Sequence, residues 1–112
     1  MRVTLLLLVA IAMLALLLTR QENIEIAGEQ DFEKEIQSDQ PTTVMFYAPW
    51  CPHCNALKPR FLRRRRRRRF RVLNGDRNRR LVEKYNIRHY PTVVKFKKGK
   101  KVKVVENLET FE

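Results

Sequence analysis

A chain of 112 residues leaves room for one small domain, so large multi-domain assemblies within it are excluded. The formal charge is +12, and its location says more than its size: between Arg60 and Arg80 stand 12 arginines and one acid, Asp76, so this segment carries +11 and the rest of the chain +1. No aromatic interleaving or base-reading module accompanies these arginines, which argues against sequence-specific nucleic-acid recognition.

Met1-Arg2 precedes an unbroken apolar run, Val3 to Leu18, whose only hydroxyl is Thr4. A basic start followed by a leucine-rich stretch reads as a secretory signal over residues 1–20. The run of 16 residues is short for a span, which needs about 20. Yet Ala10-Ile11-Ala12 lies inside the run and no small-x-small site follows it, so an uncleaved signal anchor competes with a cleaved peptide. Either reading puts the remainder, residues 21–112, on the oxidising side of a membrane.

Asn23 to Ala27 alternates Ile24 and Ile26 and predicts a first strand; Gly28 breaks it. Gln30 to Ser38 predicts a short helix with Phe32 and Ile36 at i and i+4. Thr42 to Ala48 is a near-continuous apolar run, expected of a central strand buried on both faces. A helix should then start near Cys51, with Pro59 kinking it. Phe70, Val72 and Leu73 mark the next strand, and Arg77 to Tyr85 the next helix, capped by Asp76. Pro91 opens a strand through Phe96, Lys98-Gly99-Lys100 forms a hairpin turn, and Lys101 to Val105 returns. Asn107 is an N-cap for a last helix, which has barely one turn before Glu112.

The chemistry-bearing stretch is Trp50-Cys51-Pro52-His53-Cys54, which holds both cysteines. Two thiols at C-x-x-C spacing can close a disulfide with each other and exchange it with another thiol through a mixed disulfide. If Cys51 opens the helix, unpaired N–H groups and the helix dipole would favour its thiolate, and a protonated or hydrogen-bonding His53 would favour it further. The alternatives are half of a zinc site, for which His53 and His89 are the remaining ligands, or two inert buried cysteines. A proline that starts an apolar strand after a helix, as Pro91 does, is a candidate cis peptide; an ordinary trans proline is the other reading.

Phe46-Tyr47-Ala48-Pro49-Trp50-Cys51, then Cys54, Leu57-Lys58-Pro59, and Tyr85-Asn86-Ile87-Arg88-His89-Tyr90-Pro91-Thr92 together resemble the thioredoxin superfamily. The first of these looks most like a protein disulfide isomerase domain, while Pro52-His53 is similar to the dipeptide of DsbA-type bacterial oxidases. The resemblance covers roughly residues 23–106. It implies an α/β thioredoxin-like fold, a central mixed sheet with flanking helices, and a final helix that is truncated here. It also implies a thiol–disulfide oxidoreductase acting on cysteines of protein substrates in the secretory lumen, such as the endoplasmic reticulum. In it Cys51 attacks, Cys54 resolves, His53 tunes Cys51 and Pro91 is the cis-proline facing them. Trp50, Pro52 and Tyr90 would border the substrate. No metal or organic cofactor is implied.

Two departures accompany the likeness. The family usually carries a buried acid two residues before the Tyr-Ala pair, and Met45 occupies that position. Deprotonation of Cys54 would then rely on water. The arginine that isomerase domains carry after the last strand has no counterpart in Glu106-Asn107-Leu108. In the run Arg63–Arg69, seven consecutive guanidinium groups cannot all reach water from one packed face; so either the helix ends near Leu62, or the domain is marginal, or something covers that sheet face. The run itself reads as a tract for an anionic membrane surface, as a solvated insert, or as a sequence expansion. Docking to proteins or anionic membranes through it, without catalysis, is the alternative function.

Overall fold

A computed structural model describes residues 1–18, 24–63 and 69–106. Along the chain the elements are α1 (Arg2–Leu18), β1 (Glu25–Ile26), α2 (Glu29–Ile36), β2 (Thr42–Tyr47), α3 (Pro52–Leu62), β3 (Arg69–Asn74), α4 (Arg79–Lys84), β4 (Thr92–Lys97) and β5 (Lys100–Val105). The strands form one sheet in the order β1-β3-β2-β4-β5, with β1, β3 and β2 parallel and β4 and β5 antiparallel to their neighbours.

Strand β2 is buried along its whole length, as its unbroken apolar run requires of a strand covered on both faces. Its register sorts the core into two layers. Met45 lies opposite Val72 on β3 and Val93 on β4, and these face α3 through Cys54, Leu57 and Phe61. Val44 and Phe46 point the other way, with Leu73, Val94 and Phe96, toward Phe32 and Ile36 of α2 and Leu81 of α4. Helix α3 ends at Leu62, where the arginines begin. Near its end Phe61 is fully buried and stacked on Phe70 of β3 with ring centroids 4.6 Å apart, and the partly buried Leu62 packs against the same cluster. Burying such a ring contributes about 2–3 kcal/mol.

Several boundaries differ from the sequence expectation. Strand β1 has two residues, and α2 starts at Glu29 behind Gly28, which offers no side-chain cap. Pro59 lies inside α3, which continues past it to Leu62. The N-cap of α4 is Asn78, not Asp76, because the turn after β3 is held by Asn74, whose side-chain oxygen accepts the N–H groups of Asp76 and Arg77 at 2.9 and 3.3 Å. The β4–β5 turn is Lys98-Gly99, both at positive φ, 52° and 81°, the twist-compatible form of a two-residue hairpin.

Part of the basic segment is ion-paired within the fold. Arg69 and Arg71 belong to β3 and both reach Glu35 of α2, at 2.8 and 3.1 Å from Oε2. Arg71 is buried. The five arginines between Arg63 and Arg69 lie outside the described residues, as does the helix expected from Asn107.

Helix α1 buries none of its residues. No helix among the described residues is long and apolar enough to cross a membrane.

Candidate active site

Cys51 is the N-cap of α3, and Pro52 follows at the first helical position, where a missing N–H costs nothing. The cap is a sulfur: Cys51 Sγ accepts the backbone N–H of Cys54 at 3.3 Å. The same Sγ lies 3.6 Å from the carbonyl oxygen of Tyr90, to which the thiol donates. The Tyr90–Pro91 peptide is cis. The two motifs, roughly 37 positions apart in sequence, therefore meet at one sulfur. The hydroxyl of Thr92 donates to the His89 carbonyl at 2.7 Å and ties down the loop that presents Pro91.

Both cysteines are free thiols, and both are buried, with 4% of Cys51 and 1% of Cys54 exposed. A C-x-x-C pair that exchanges with other proteins calls for a sulfur open to solvent, and in this structure neither residue is. Sγ of Cys51 turns inward to cap the helix and to meet Tyr90, so it joins the cluster of Met45, Tyr47, Ala48 and Leu57. Cys54 lies deeper, and its thiol is pushed up to about 11, first by burial and then by the side chain of Cys51. Met45, at the position of the family's acid, is fully buried in the same cluster, and no carboxylate is among the groups that act on Cys54.

The other predicted site residues surround this point. Trp50, Pro52 and His53 are exposed, while Tyr90 and Pro91 are half-buried. Trp50 meets Tyr90 edge to face, with centroids 6.2 Å apart. His53 lines a groove of about 480 Å³ with Ala56, Leu57, Arg60 and Pro91. The partners of Cys51 Sγ are backbone groups, and His53 sits on the groove side of the helix.

Sequence reading missed three contributors. Asp76 accepts a hydrogen bond from Trp50 Nε1 at 2.9 Å and pins the indole. Gly75 leaves the space that the Tyr90 ring fills: a Cβ there would stand 2.6 Å from Cε1 and Cζ of Tyr90. Glu25 accepts a hydrogen bond from the Tyr47 hydroxyl, and burial together with this contact pushes the phenol up to about 12. These pairs join loops and strands remote in sequence, so spacing carried no sign of them. Among the described residues no group of three or more His, Cys, Asp or Glu could hold a metal ion.

Comparison with known proteins gives the family. The family model described as Thioredoxin matches residues 23–111. The chain belongs to the thioredoxin family. The domain is 32% identical over 100 residues to Protein disulfide-isomerase 1 of Caenorhabditis elegans, covering 83% of this chain and 21% of that protein. It is 36% identical over 89 residues to a thioredoxin domain-containing protein of Theileria parva, covering 71% and 40%. The chain thus spans about a fifth to two fifths of the length of these curated relatives. Among solved structures, Schistosoma mansoni thioredoxin superposes with a TM-score of 0.68 at 30% identity, covering 76% of this chain and 85% of that one. Fasciola hepatica thioredoxin also gives a TM-score of 0.68, at 27% identity and with 75% and 86% covered. The thioredoxin-like α/β fold and the likeness to disulfide-isomerase domains are therefore established, and they support thiol–disulfide exchange as the class of chemistry.

Proposed function

We propose that this thioredoxin domain is a protein thiol–disulfide oxidoreductase working through the Cys51–Cys54 pair. The observation that carries the reading is the position of Cys51 Sγ, which caps α3 and lies against the cis Tyr90–Pro91 peptide. In the oxidising direction, a substrate thiolate attacks Sγ of Cys51 in the Cys51–Cys54 disulfide. A substrate–Cys51 bond forms, the Cys51–Cys54 bond breaks, and Cys54 leaves with the electron pair and takes a proton from water. A second substrate thiolate then attacks the substrate sulfur and expels Cys51, whose developing charge is received by the N–H of Cys54. The high affinity of Cys54 for its proton slows its attack on a mixed disulfide, and so prolongs the substrate–Cys51 intermediate. Trp50, Pro52, Tyr90 and Pro91 form the rim that a substrate would meet.

The leucine-rich helix α1, with no buried residue, supports its role as a signal or anchor that delivers the domain to the secretory lumen or another extracytoplasmic compartment. Oxidation of a reduced protein substrate should vanish in Cys51→Ser. In the native reduced protein, alkylation should modify Cys51 and spare Cys54. The near-complete burial of both sulfurs favours a second reading, a non-catalytic module that docks through its basic segment. That reading predicts no alkylation of either thiol, and salt-sensitive binding to anionic vesicles that is indifferent to Cys51→Ser.

A further inference from the structure

The hairpin of β4 and β5 carries six lysines and no acid between Thr92 and Val105, so this segment alone holds +6. Its register sets Lys95 directly opposite Lys103, and Lys97 opposite Lys100. Residues directly opposite share one face of a sheet with Cβ atoms about 5 Å apart, and like charges placed so are destabilising. By the alternation of a strand, Lys95 and Lys97 lie on the side of Val93, which with Val105 belongs to the α3 layer of the core. Four lysines therefore crowd one side of the hairpin. Lys97, Lys100 and Lys103 are exposed and Lys95 is half-buried, and none of the four has an ion-pair partner among the described residues. The strands cannot splay at the turn to relieve the repulsion. The N–H of Lys98 donates to the Ser38 carbonyl at 3.1 Å and that of Gly99 to the Ile36 carbonyl at 2.8 Å, which fastens the turn to the end of α2.

Strand β5 is also the edge of the sheet, so its outer backbone N–H and C=O groups have no strand partner among the described residues. We infer that β5 is a docking edge for an extended acidic segment of a partner protein, added as a further strand with its carboxylates on the side of Lys100 and Lys103. The inference stands apart from the Cys51–Cys54 chemistry. Main-chain bonds along the edge supply affinity, and the carboxylates offset the lysine–lysine repulsion that the hairpin otherwise carries. On the opposite face Val104, 41% exposed and paired with Val94, offers an apolar contact to the alternate side chains. Lysines on an edge keep unsuitable strands away. Here they exclude a second copy, whose own β5 would set lysine against lysine, and admit a strand of opposite charge. Phosphates of a lipid or nucleic acid would meet the lysines but leave the backbone groups of the edge unused, so a peptide is the partner that matches both features.

The test titrates the full chain, at low salt, into a fluorescein-labelled peptide of about eight residues, glutamate and threonine in alternation, and reads anisotropy. The peptide should bind. The same peptide methylated on all its backbone nitrogens keeps its carboxylates but donates no N–H, and should bind about fivefold more weakly. Lys103→Glu sets an opposite charge across from Lys95, so it should raise the urea midpoint while weakening peptide binding about fivefold. The raised midpoint separates lost binding from lost folding. Arg80→Glu makes the same change of charge at an exposed position of α4, the helix of the opposite layer, and should leave binding unchanged. No binding of the peptide, equal losses in the two variants, a methylated peptide that binds as well as its parent, or a lowered midpoint in Lys103→Glu would each overturn the inference. Lys103-dependent binding of anionic vesicles or single-stranded DNA without binding of the peptide would assign the lysines to phosphate and overturn it too. Self-association that Lys103→Glu abolishes, again without peptide binding, would make the occupant a second copy, with the same result.

Discussion

Trp50 Nε1 donates to the carboxylate of Asp76 at 2.9 Å, a bond between the active-site loop and the turn after β3. It holds the indole against Tyr90, whose carbonyl meets Cys51. Trp50 is the only tryptophan, so its fluorescence reports on this bond directly. Asp76→Ala should change the emission of the folded protein and alter exchange rates, yet cost less than about 1 kcal/mol, because the bond is solvent-exposed. A spectrum identical to that of the parent would show that Asp76 does not fix the indole.

Gly75 should not accept a side chain. In Gly75→Ala the new methyl would meet the Tyr90 ring, and that ring can yield only by moving away from Trp50 and the cis-proline loop. The expected result is a slower exchange reaction and a stability loss of about 1–3 kcal/mol, measured by denaturant unfolding. Unchanged kinetics would mean that the loop repacks without disturbing Cys51.

The raised Cys54 thiol sets a pH dependence. Only the thiolate attacks, and with a pKa near 11 about one Cys54 in ten thousand is ionised at pH 7. Release of a substrate from Cys51 by attack of Cys54 should therefore accelerate about tenfold per pH unit and level off near pH 11. Stopped-flow resolution of a preformed mixed disulfide checks this; a plateau near pH 8.5 would mark an ordinary thiol. Stability moves the other way. The unfolded thiol ionises near 9.0 and the folded one near 11, so the reduced protein keeps this contribution below about pH 9 and loses it as pH rises through 11.

Glu35 should matter more than a surface acid. Its carboxylate serves the buried guanidinium of Arg71 and that of Arg69. Removing one partner of a buried pair costs about 3–5 kcal/mol, and the partial exposure of Glu35 lowers the expectation for Glu35→Ala to about 2–3 kcal/mol. Glu33→Ala, which breaks an exposed pair with Lys84, should leave the urea midpoint unchanged. Equal midpoints for the two variants would show that β3 does not depend on the Glu35 carboxylate.

The order of strands and helices, the buried β2 run, the end of α3 at the arginines and the pairing of the C-x-x-C motif with Pro91 were all legible in the chain. The first three follow from interactions within a few positions, namely apolar alternation, turn residues and a charge run that a packed face cannot absorb, whereas the pairing of C-x-x-C with Pro91 was implied only by the family resemblance. Met45 was equally legible as the residue standing where the family keeps an acid.

What tertiary structure decided depends on partners that sequence spacing does not connect. Tyr47 finds Glu25 across 22 positions, Trp50 finds Asp76 across 26, Arg71 finds Glu35 across 36, and Cys51 finds the Tyr90 carbonyl across 39. Once β2, β3 and β4 lock in register, two arginines of the basic segment become ion-paired structure, and the Cys51 sulfur turns inward. The reason is physical: burial and hydrogen bonding act on what is near in space, and sheet register brings these residues together.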